Sequence, residues 1–247
     1  QTLLKMPTLG INDTFPNLTG STQDEANFDL YSYQGSEWLV VFMHPGDFTP
    51  VCTTELGAAA GRATEFTDRG VKLCGFSCND AESHKEWILD IKAATGNQVA
   101  FPLFCDPTRD FATSIGVLDQ GLKDAKGLPL TVRACFVVDP KHVIKASIIY
   151  PASTGRSFDE ILRCVDSLKL TTDHSVATPV DWNKGQDVIV NFPLTDKQAE
   201  DKFGKTGFTI VPLPSEKDGN GKWMPDKHYL RTTKDPSATG IQGCSCM

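Results

Sequence analysis

Residues 44–52 read HPGDFTPVC and follow directly on the apolar run WLVVFM. A strand that empties into a turn, and then into a helix with a cysteine in its first turn, is the layout of dithiol redox enzymes. Where those enzymes carry Cys-x-x-Cys, this chain has Thr49-Pro-Val-Cys52. Thr49 and Pro50 together form a helix start, with threonine at the N-cap and proline at the first helical position, where a missing N–H costs nothing. Cys52 then falls at the third helical position, the place a capping-box carboxylate takes. Unpaired backbone N–H groups and the helix dipole favour negative charge there. The expectation is a thiolate available near neutral pH. Read on residues alone, alternatives stand beside each of these. Thr-Pro starts many helices whatever follows, and His44 is more commonly a packed or hydrogen-bonded histidine than a catalytic one. Glu55, one turn after Cys52, either orients an arginine or is a solvated helix residue. Arg133, at the head of an apolar strand, is ordinarily an edge arginine.

The elements that must position these residues follow from the apolar pattern. Strands are predicted over 38–43, 71–77, 101–105, 133–139 and 143–150, and helices over 50–68, 80–95 and 107–115, with Gly70 and Gly96 as stops for the first two. A further helix is predicted over 157–170, where Phe158, Ile161, Leu162, Val165 and Leu168 share a face. Helices alternating with strands imply an α/β layer fold. The short link at 140–142 makes the last two strands an antiparallel hairpin. After about residue 175 the chain turns rich in Pro, Gly and Lys, so residues 1–175 read as the main domain and 176–247 as a small second one. In the latter, Trp182, Val188, Ile189, Val190, Phe192, Phe208, Ile210 and Val211 are expected to need burial.

The chain has 247 residues, 40% of them hydrophobic and 22% charged, with a net charge of -7. That balance argues against non-specific binding to nucleic acid or to an anionic membrane surface. No apolar stretch approaches the roughly 18 residues that span a bilayer. The first residues, QTLLKMPTLG, lack the basic start, apolar run and cleavage site of a secretory signal. Of the eight cysteines, Cys52, Cys74, Cys78, Cys105, Cys135 and Cys164 are dispersed, and several lie in strand-like apolar runs, where buried thiols act as small hydrophobes. No Cys-x-x-Cys pair has a second pair or histidines beside it, so structural zinc is not expected. A reducing compartment fits best, and the cytoplasm is the expected location.

The stretch HPGDFTPVCTTEL resembles the peroxiredoxin active-site pattern Pro-x-x-x-Thr-x-x-Cys, which is highly specific. The histidine before the proline, then RACFVVDP, YPASTGRSFDEILR, VATPVDW and YLR, resemble the one-cysteine branch of that family, from about Leu9 to Arg231. The resemblance implies a thioredoxin-like fold, a central mixed β-sheet flanked by helices, with a small C-terminal α+β domain that serves dimerisation. It implies a homodimer that reduces hydrogen peroxide and organic hydroperoxides, lipid hydroperoxides included, without metal, haem or flavin. Cys52 matches the peroxidatic cysteine and Thr49 the hydroxyl that contacts thiolate and peroxide. Pro45 matches the residue shielding the pocket, and Arg133 the one that holds the thiolate and polarises the peroxide. Glu55 and Arg156 match the supporting ion-pair network, and His44 the branch's pocket histidine. Dithiol exchange needs a second sulfur. With Thr49 in its place, what remains suits attack on an O–O bond, giving a sulfenic acid.

No cysteine follows the helix at 157–170, where the two-cysteine branch keeps its resolving thiol; that region reads TTDHSVATPVDW. An external thiol is therefore expected to reduce Cys52: glutathione with a transferase, thioredoxin or glutaredoxin. The tail GIQGCSCM departs from the branch's usual ending. Cys244 and Cys246 there are local resolving thiols, a Cys-a-a-X lipidation signal on Cys244, or an exposed variable tail. Some members of the branch are credited with a phospholipase serine in Gly-x-Ser-x-Gly. Here the aligned position is Glu37, without the glycines a nucleophile elbow needs, so that activity is not carried over. Two other readings stand against a peroxidase: a redox sensor or chaperone-like interaction protein that uses the same thiol as a switch, and a thioredoxin-type disulfide oxidoreductase, against which Thr49 argues.

Overall fold

The computed structural model describes residues 9–216 and 228–238. The chain forms two compact units, Gln1–Phe158 and Asp159–Met247. The first is built on a five-stranded sheet of β1 (Trp38–Met43), β2 (Val71–Ser77), β3 (Leu103–Cys105), β4 (Arg133–Val138) and β5 (Ile144–Tyr150). Their spatial order is β3-β2-β1-β4-β5. The first three run parallel, β4 pairs antiparallel with β1, and β5 closes the expected hairpin with Arg133 opposite Tyr150. All six residues of β1 are buried, as are all six of β4. Such unbroken apolar runs belong to strands covered on both faces. Each large side chain so buried contributes about 1.5–3 kcal/mol.

The parallel arrangement brings the carboxyl ends of β1, β2 and β3 to one edge, and residues 44–52 leave that edge into α1 (Pro50–Gly61). A single helix over 50–68 does not form. It breaks at Arg62 (φ -107°, ψ 8°), and a short helix, Ala63–Thr67, follows. Arg62 marks the break by pairing with Glu65 in the new first turn, Nε to Oε1 at 2.8 Å. Helix α2 (Ala81–Thr95) is capped by Asp80, whose side chain accepts from the Ser83 N–H, and stops at Gly96 (φ 76°). It packs close on α1 because Gly57 has no side chain: a Cβ there would stand 2.5 Å from Cγ2 of Thr95. Residues 107–115 hold only a short helix, Asp110–Ser114. A hairpin of Leu118–Lys123 with Pro129–Thr131, which the apolar pattern did not announce, leads into β4.

The second unit takes up α3 (Phe158–Asp173) from Asp159 onward, a helix that the sequence reading placed at the end of the main domain. Its sheet is β6 (Val176–Ala177), β7 (Val188–Val190), β8 (Phe208–Ile210) and β9 (Arg231–Thr233), in the order β6-β7-β9-β8. Helix α4 (Asp196–Phe203) starts with a Thr195/Gln198 capping box. Leu170, Val176, Trp182 and Val188 form its core. Of the residues expected to need burial, Trp182, Val188 and Val190 are buried; Ile189, Phe208, Ile210 and Val211 are half-buried. Phe192, in the turn after β7, is 56% exposed.

None of the six described cysteines is in a disulfide. Cys74, Cys78, Cys105 and Cys135 are buried in or beside the sheet, as their apolar surroundings predict. Burial pushes the Cys74 and Cys78 thiols up to about 12, and burial with Glu160 beside it pushes Cys164 up to about 11. Cys244 and Cys246 lie outside the described residues. Among the described residues no helix is long and apolar enough to cross a membrane.

Candidate active site

Thr49 is the N-cap of α1 and Pro50 opens the helix, so Cys52 occupies the third helical position, as its spacing predicts. The cap itself differs from expectation. The Thr49 side chain makes no hydrogen bond to the helix; its Oγ1 donates to the Gly46 carbonyl at 2.9 Å. That bond ties the turn together and leaves the hydroxyl its lone pairs but no free proton. The preceding Phe48 sits at φ 54° and is 52% exposed. A left-handed aromatic residue is a strained one, and such strain persists where the surrounding turn over-determines the backbone.

Cys52 is fully buried. Its sulfur lies 3.4 Å from Nη1 of Arg133, the first residue of β4. The same Nη1 donates to Oε2 of Glu55 at 2.6 Å, and Nε of Arg133 donates to the Ala152 carbonyl at 2.8 Å. Glu55, one turn beyond Cys52 on α1, is held from its other side by Arg156. Arg156 donates to it through its backbone N (2.7 Å), Nε (3.0 Å) and Nη2 (2.8 Å), and through Nη1 to the Ala134 carbonyl (2.8 Å). The guanidinium of Arg156 also lies over the Phe42 ring at 5.5 Å. Burial works against the Glu55 charge, but the bonds from Arg156 and the charge of Arg133 hold its carboxyl below the usual range. Two guanidiniums share one carboxylate, so a buried positive charge is left over, and it faces the sulfur.

Pro45 is buried, and His44 before it is fully enclosed. Nε2 of His44 meets Oδ1 of Asp47 at 2.9 Å, its carbonyl accepts from Thr131 Oγ1 at 2.8 Å, and its ring lies 4.9 Å from that of Trp87. Asp47 in turn takes His84 Nδ1 at 2.8 Å and Ser83 Oγ at 2.7 Å on Oδ2. Burial opposes the Asp47 charge, but the two imidazole bonds hold its carboxyl far below the usual range. Burial lowers His44, more than Asp47 restores, so its ring is neutral and donates Nε2–H to the carboxylate. Among the described residues, Nδ1 of His44 has no hydrogen-bond partner.

His44, Asp47 and His84 offer ligand atoms within 4.8 Å of one another, close enough to raise the question of a metal. Their contacts at 2.8–2.9 Å are hydrogen-bond distances. Two ligands about 2.1 Å from a tetrahedral ion would stand roughly 3.4 Å apart. The cluster is linked through protons.

Of the seven residues singled out in the sequence, Cys52, Glu55, Arg133 and Arg156 meet directly; His44, Pro45 and Thr49 line the turn that leads to them. Asp47, His84, Trp87 and Thr131 were missed. Asp47 stands three residues after His44, in the same quoted stretch. His84 falls on the apolar face of α2 with Trp87, Ile88 and Ile91 at helical spacing, so a histidine in an apolar stripe was the available signal.

Residues 11–147 match the AhpC/TSA family, and residues 167–206 match the C-terminal domain of 1-Cys peroxiredoxin. The chain is 44% identical to 1-Cys peroxiredoxin A of Oryza sativa subsp. japonica, over 93% of its own length and 99% of the relative's. It is also 44% identical to peroxiredoxin-6 of Rattus norvegicus, over 92% and 97%. The crystal structure of a mutant peroxiredoxin 6 of Arenicola marina superposes with a TM-score of 0.84 at 38% identity, covering 92% of this chain and 99% of that one. A structure of yeast mitochondrial 1-Cys peroxiredoxin gives 0.78 at 37%, over 92% and 100%. A single buried thiol under a guanidinium, on a chain aligned almost end to end with these relatives, belongs to the AhpC/TSA family and within it to the 1-Cys peroxiredoxins, thiol-dependent peroxidases of thioredoxin-like fold.

Proposed function

We propose that Cys52 reduces hydrogen peroxide and organic hydroperoxides, lipid hydroperoxides among them, to water and alcohols. The observation that carries this reading is the 3.4 Å contact between Arg133 Nη1 and the buried Cys52 sulfur, with Glu55 unable to neutralise both arginines. The thiolate attacks one oxygen of the peroxide. The O–O bond breaks, two electrons pass from sulfur to peroxide, and the other oxygen leaves as hydroxide or alkoxide and takes up a proton. Cys52 becomes a sulfenic acid. Arg133 holds the thiolate and stabilises the charge on the leaving oxygen, an effect worth several kcal/mol when the donor is fixed and dry. Thr49, its own proton given to Gly46, acts as acceptor for the peroxide O–H. Pro45 brings no N–H and keeps water from the sulfur. Glu55 and Arg156 position Arg133, and His44 offers its bare Nδ1 within the pocket wall.

No metal, haem or flavin takes part in this route. The sulfenic acid condenses with an external thiol, releasing water and leaving a mixed disulfide, which a second thiol reduces. The solved structure of the yeast relative concerns resolution through the glutathione and thioredoxin systems, and a reductant of that class, with glutaredoxin the further candidate, is proposed here. The working form is a cytoplasmic homodimer serving antioxidant defence, with the second unit in dimerisation. Intact mass after one equivalent of hydrogen peroxide, with and without glutathione, tests the scheme. One oxygen on Cys52, replaced by one glutathione, is expected; peroxide consumption by Cys52→Ser at the wild-type rate overturns it.

A further inference from the structure

Cys52 lies beyond the carboxyl ends of β1 and β2; the amino ends of the same strands border a pocket. Glu37 stands just before β1, and Val71 opens β2. β2 runs to Ser77, but β3 pairs only with Gly75–Ser77. Among the described residues no strand pairs with Val71–Leu73 on that side. Residues two apart in a strand turn their backbone groups the same way. Gly75 gives its N–H to the Pro102 carbonyl at 2.9 Å, whereas the Leu73 carbonyl accepts from the Tyr33 hydroxyl at 3.0 Å. The missing strand leaves a pocket of about 290 Å³. Its apolar lining includes Val71, Leu73 and Phe101, all buried, and its polar lining Tyr33, Glu37 and Lys72. At roughly 30 Å³ per molecule of liquid water it has the room of about ten waters, the scale of a single amino acid.

Two opposite charges stand at this pocket. The ammonium of Lys72 is placed by Tyr33: Nζ donates to the Tyr33 carbonyl at 2.6 Å and lies 5.1 Å from the centre of its ring. Oε1 of Glu37 is 3.6 Å from the same Nζ, beyond hydrogen-bond length. The two attract without being joined, and 32% of the Lys72 side chain and 43% of the Glu37 side chain stay exposed. An ammonium has three N–H donors and a carboxylate about four acceptor sites, so each can take a ligand and keep the other. A ligand with a single charge gains from one of them and is repelled by its neighbour. A ligand with an ammonium and a carboxylate side by side gains from both, and its apolar part is left to face Val71, Leu73 and Phe101. We propose that this pocket binds a free α-amino acid with an apolar side chain, its carboxylate on Lys72 and its ammonium on Glu37. Both protein charges are part-exposed, so the affinity expected is modest, a Kd on the order of 1 mM.

The site is independent of the sulfur chemistry, and its test reads binding alone. In the reduced full-length protein the methyl signals of Ala63, Val71 and Leu73, which line the pocket, are followed by NMR as L-leucine is added to about 20 mM. Saturable shifts at these methyls are expected. N-acetyl-leucine, which lacks the ammonium, and leucinamide, which lacks the carboxylate, should each bind at least about tenfold more weakly. Glu37→Gln should abolish the preference for leucine over N-acetyl-leucine, and Lys72→Met the preference over leucinamide. Shifts that fail to saturate overturn the proposal, as does N-acetyl-leucine or leucinamide binding as tightly as leucine. A tenfold preference that survives in folded Glu37→Gln overturns it too. Should a variant fail to fold, the three ligands on the wild-type protein still decide.

Discussion

In the first unit Glu55 is shared by Arg133 and Arg156; in the second, Asp196 is shared by Arg231 and His228. Both carboxylates anchor a buried arginine, and Arg231, fully enclosed, is the more deeply buried of the three. The difference lies in what the guanidinium N–H groups meet. Arg231 gives Nη1 to Asp196 at 2.8 Å and Nη2 to the Leu194 carbonyl at 2.6 Å, linking β9 to the loop before α4. One guanidinium and one imidazole meet that carboxylate. Around Glu55 two cations meet one anion, and the nitrogen with charge to spare lies against a sulfur. Burying an arginine is therefore a structural act in one unit and a chemical one in the other. Local stoichiometry of charge separates the two cases, and depth does not.

The comparison breaks most sharply if each arginine is neutralised in turn. Arg231→Gln takes the guanidinium from β9 and leaves Asp196, at the start of α4, with the His228 imidazole alone, a change expected to cost about 3 kcal/mol of stability. Peroxidase activity per folded molecule should persist. Urea titration with a parallel activity assay checks both; a stable Arg231→Gln protein would show that this pair is dispensable. Arg133→Gln should do the opposite in kind. Peroxide turnover is expected to fall about 100- to 1,000-fold, the usual effect of losing a fixed donor at a developing anion. A second-order rate measured by peroxide consumption reads it. Should both variants lose only stability, the surplus charge at Glu55 has no chemical meaning.

The legible part of this molecule was the part whose information is local. Strands 38–43 and 71–77 have the bounds their apolar runs predict, because a run buried on both faces needs no partner to be recognised. Cys52 at the third helical position followed from Thr49-Pro50 alone. Arg133 and Arg156 were reached only through family resemblance: residues 81 and 104 positions away carry no mark of facing Cys52. The break at Arg62 was hidden because the apolar spacing of 50–68 continues through it. Asp47 and His84 escaped because a charged pair inside a core is decided by the packing of α2 on the strand ends, which no spacing encodes. The Thr49 hydroxyl escaped for a smaller reason. Its identity fits an N-cap, and only the turn geometry shows it donating to Gly46.

Acid and alkali sharpen the comparison further, because only the first unit buries histidines of opposite bias. His44 is lowered by burial, so below pH 6.5 the unfolded chain binds a proton that the folded one refuses, and stability falls as pH drops. Burial works against a charged His84, but Asp47 beside it raises it to about 9; its contribution is complete below pH 6.5 and is lost as pH climbs through 9. Thermal unfolding of the first unit should therefore peak near pH 6.5, and His84→Gln should flatten the alkaline side. Glu55, held below its usual range, adds stability that vanishes only below pH 4.5, so Glu55→Gln should weaken the acid slope there. A profile flat from pH 6 to 9 would show that the buried row of His44, Asp47 and His84 does not carry the charges assigned to it.

The smallest effect belongs to Thr49, three residues before the sulfur. Thr49 gives its proton to the Gly46 carbonyl, so what it can offer a peroxide is a lone pair. Thr49→Val keeps the shape and the β-branch but leaves the Gly46 carbonyl without that partner and removes the acceptor. Thr49→Ser keeps both polar functions and loses one methyl. If the hydroxyl acts on the peroxide, valine should slow oxidation about tenfold, below the roughly 10²- to 10⁴-fold of a full general base because this acceptor orients the peroxide without taking its proton, and serine by less than threefold. The loss should appear in the rate constant for peroxide and leave the later reaction with glutathione untouched, since no O–O bond remains at that stage. Equal slowing of both half-reactions by valine would mean that the residue only holds the turn, with Phe48 at its strained φ as the element that relaxes.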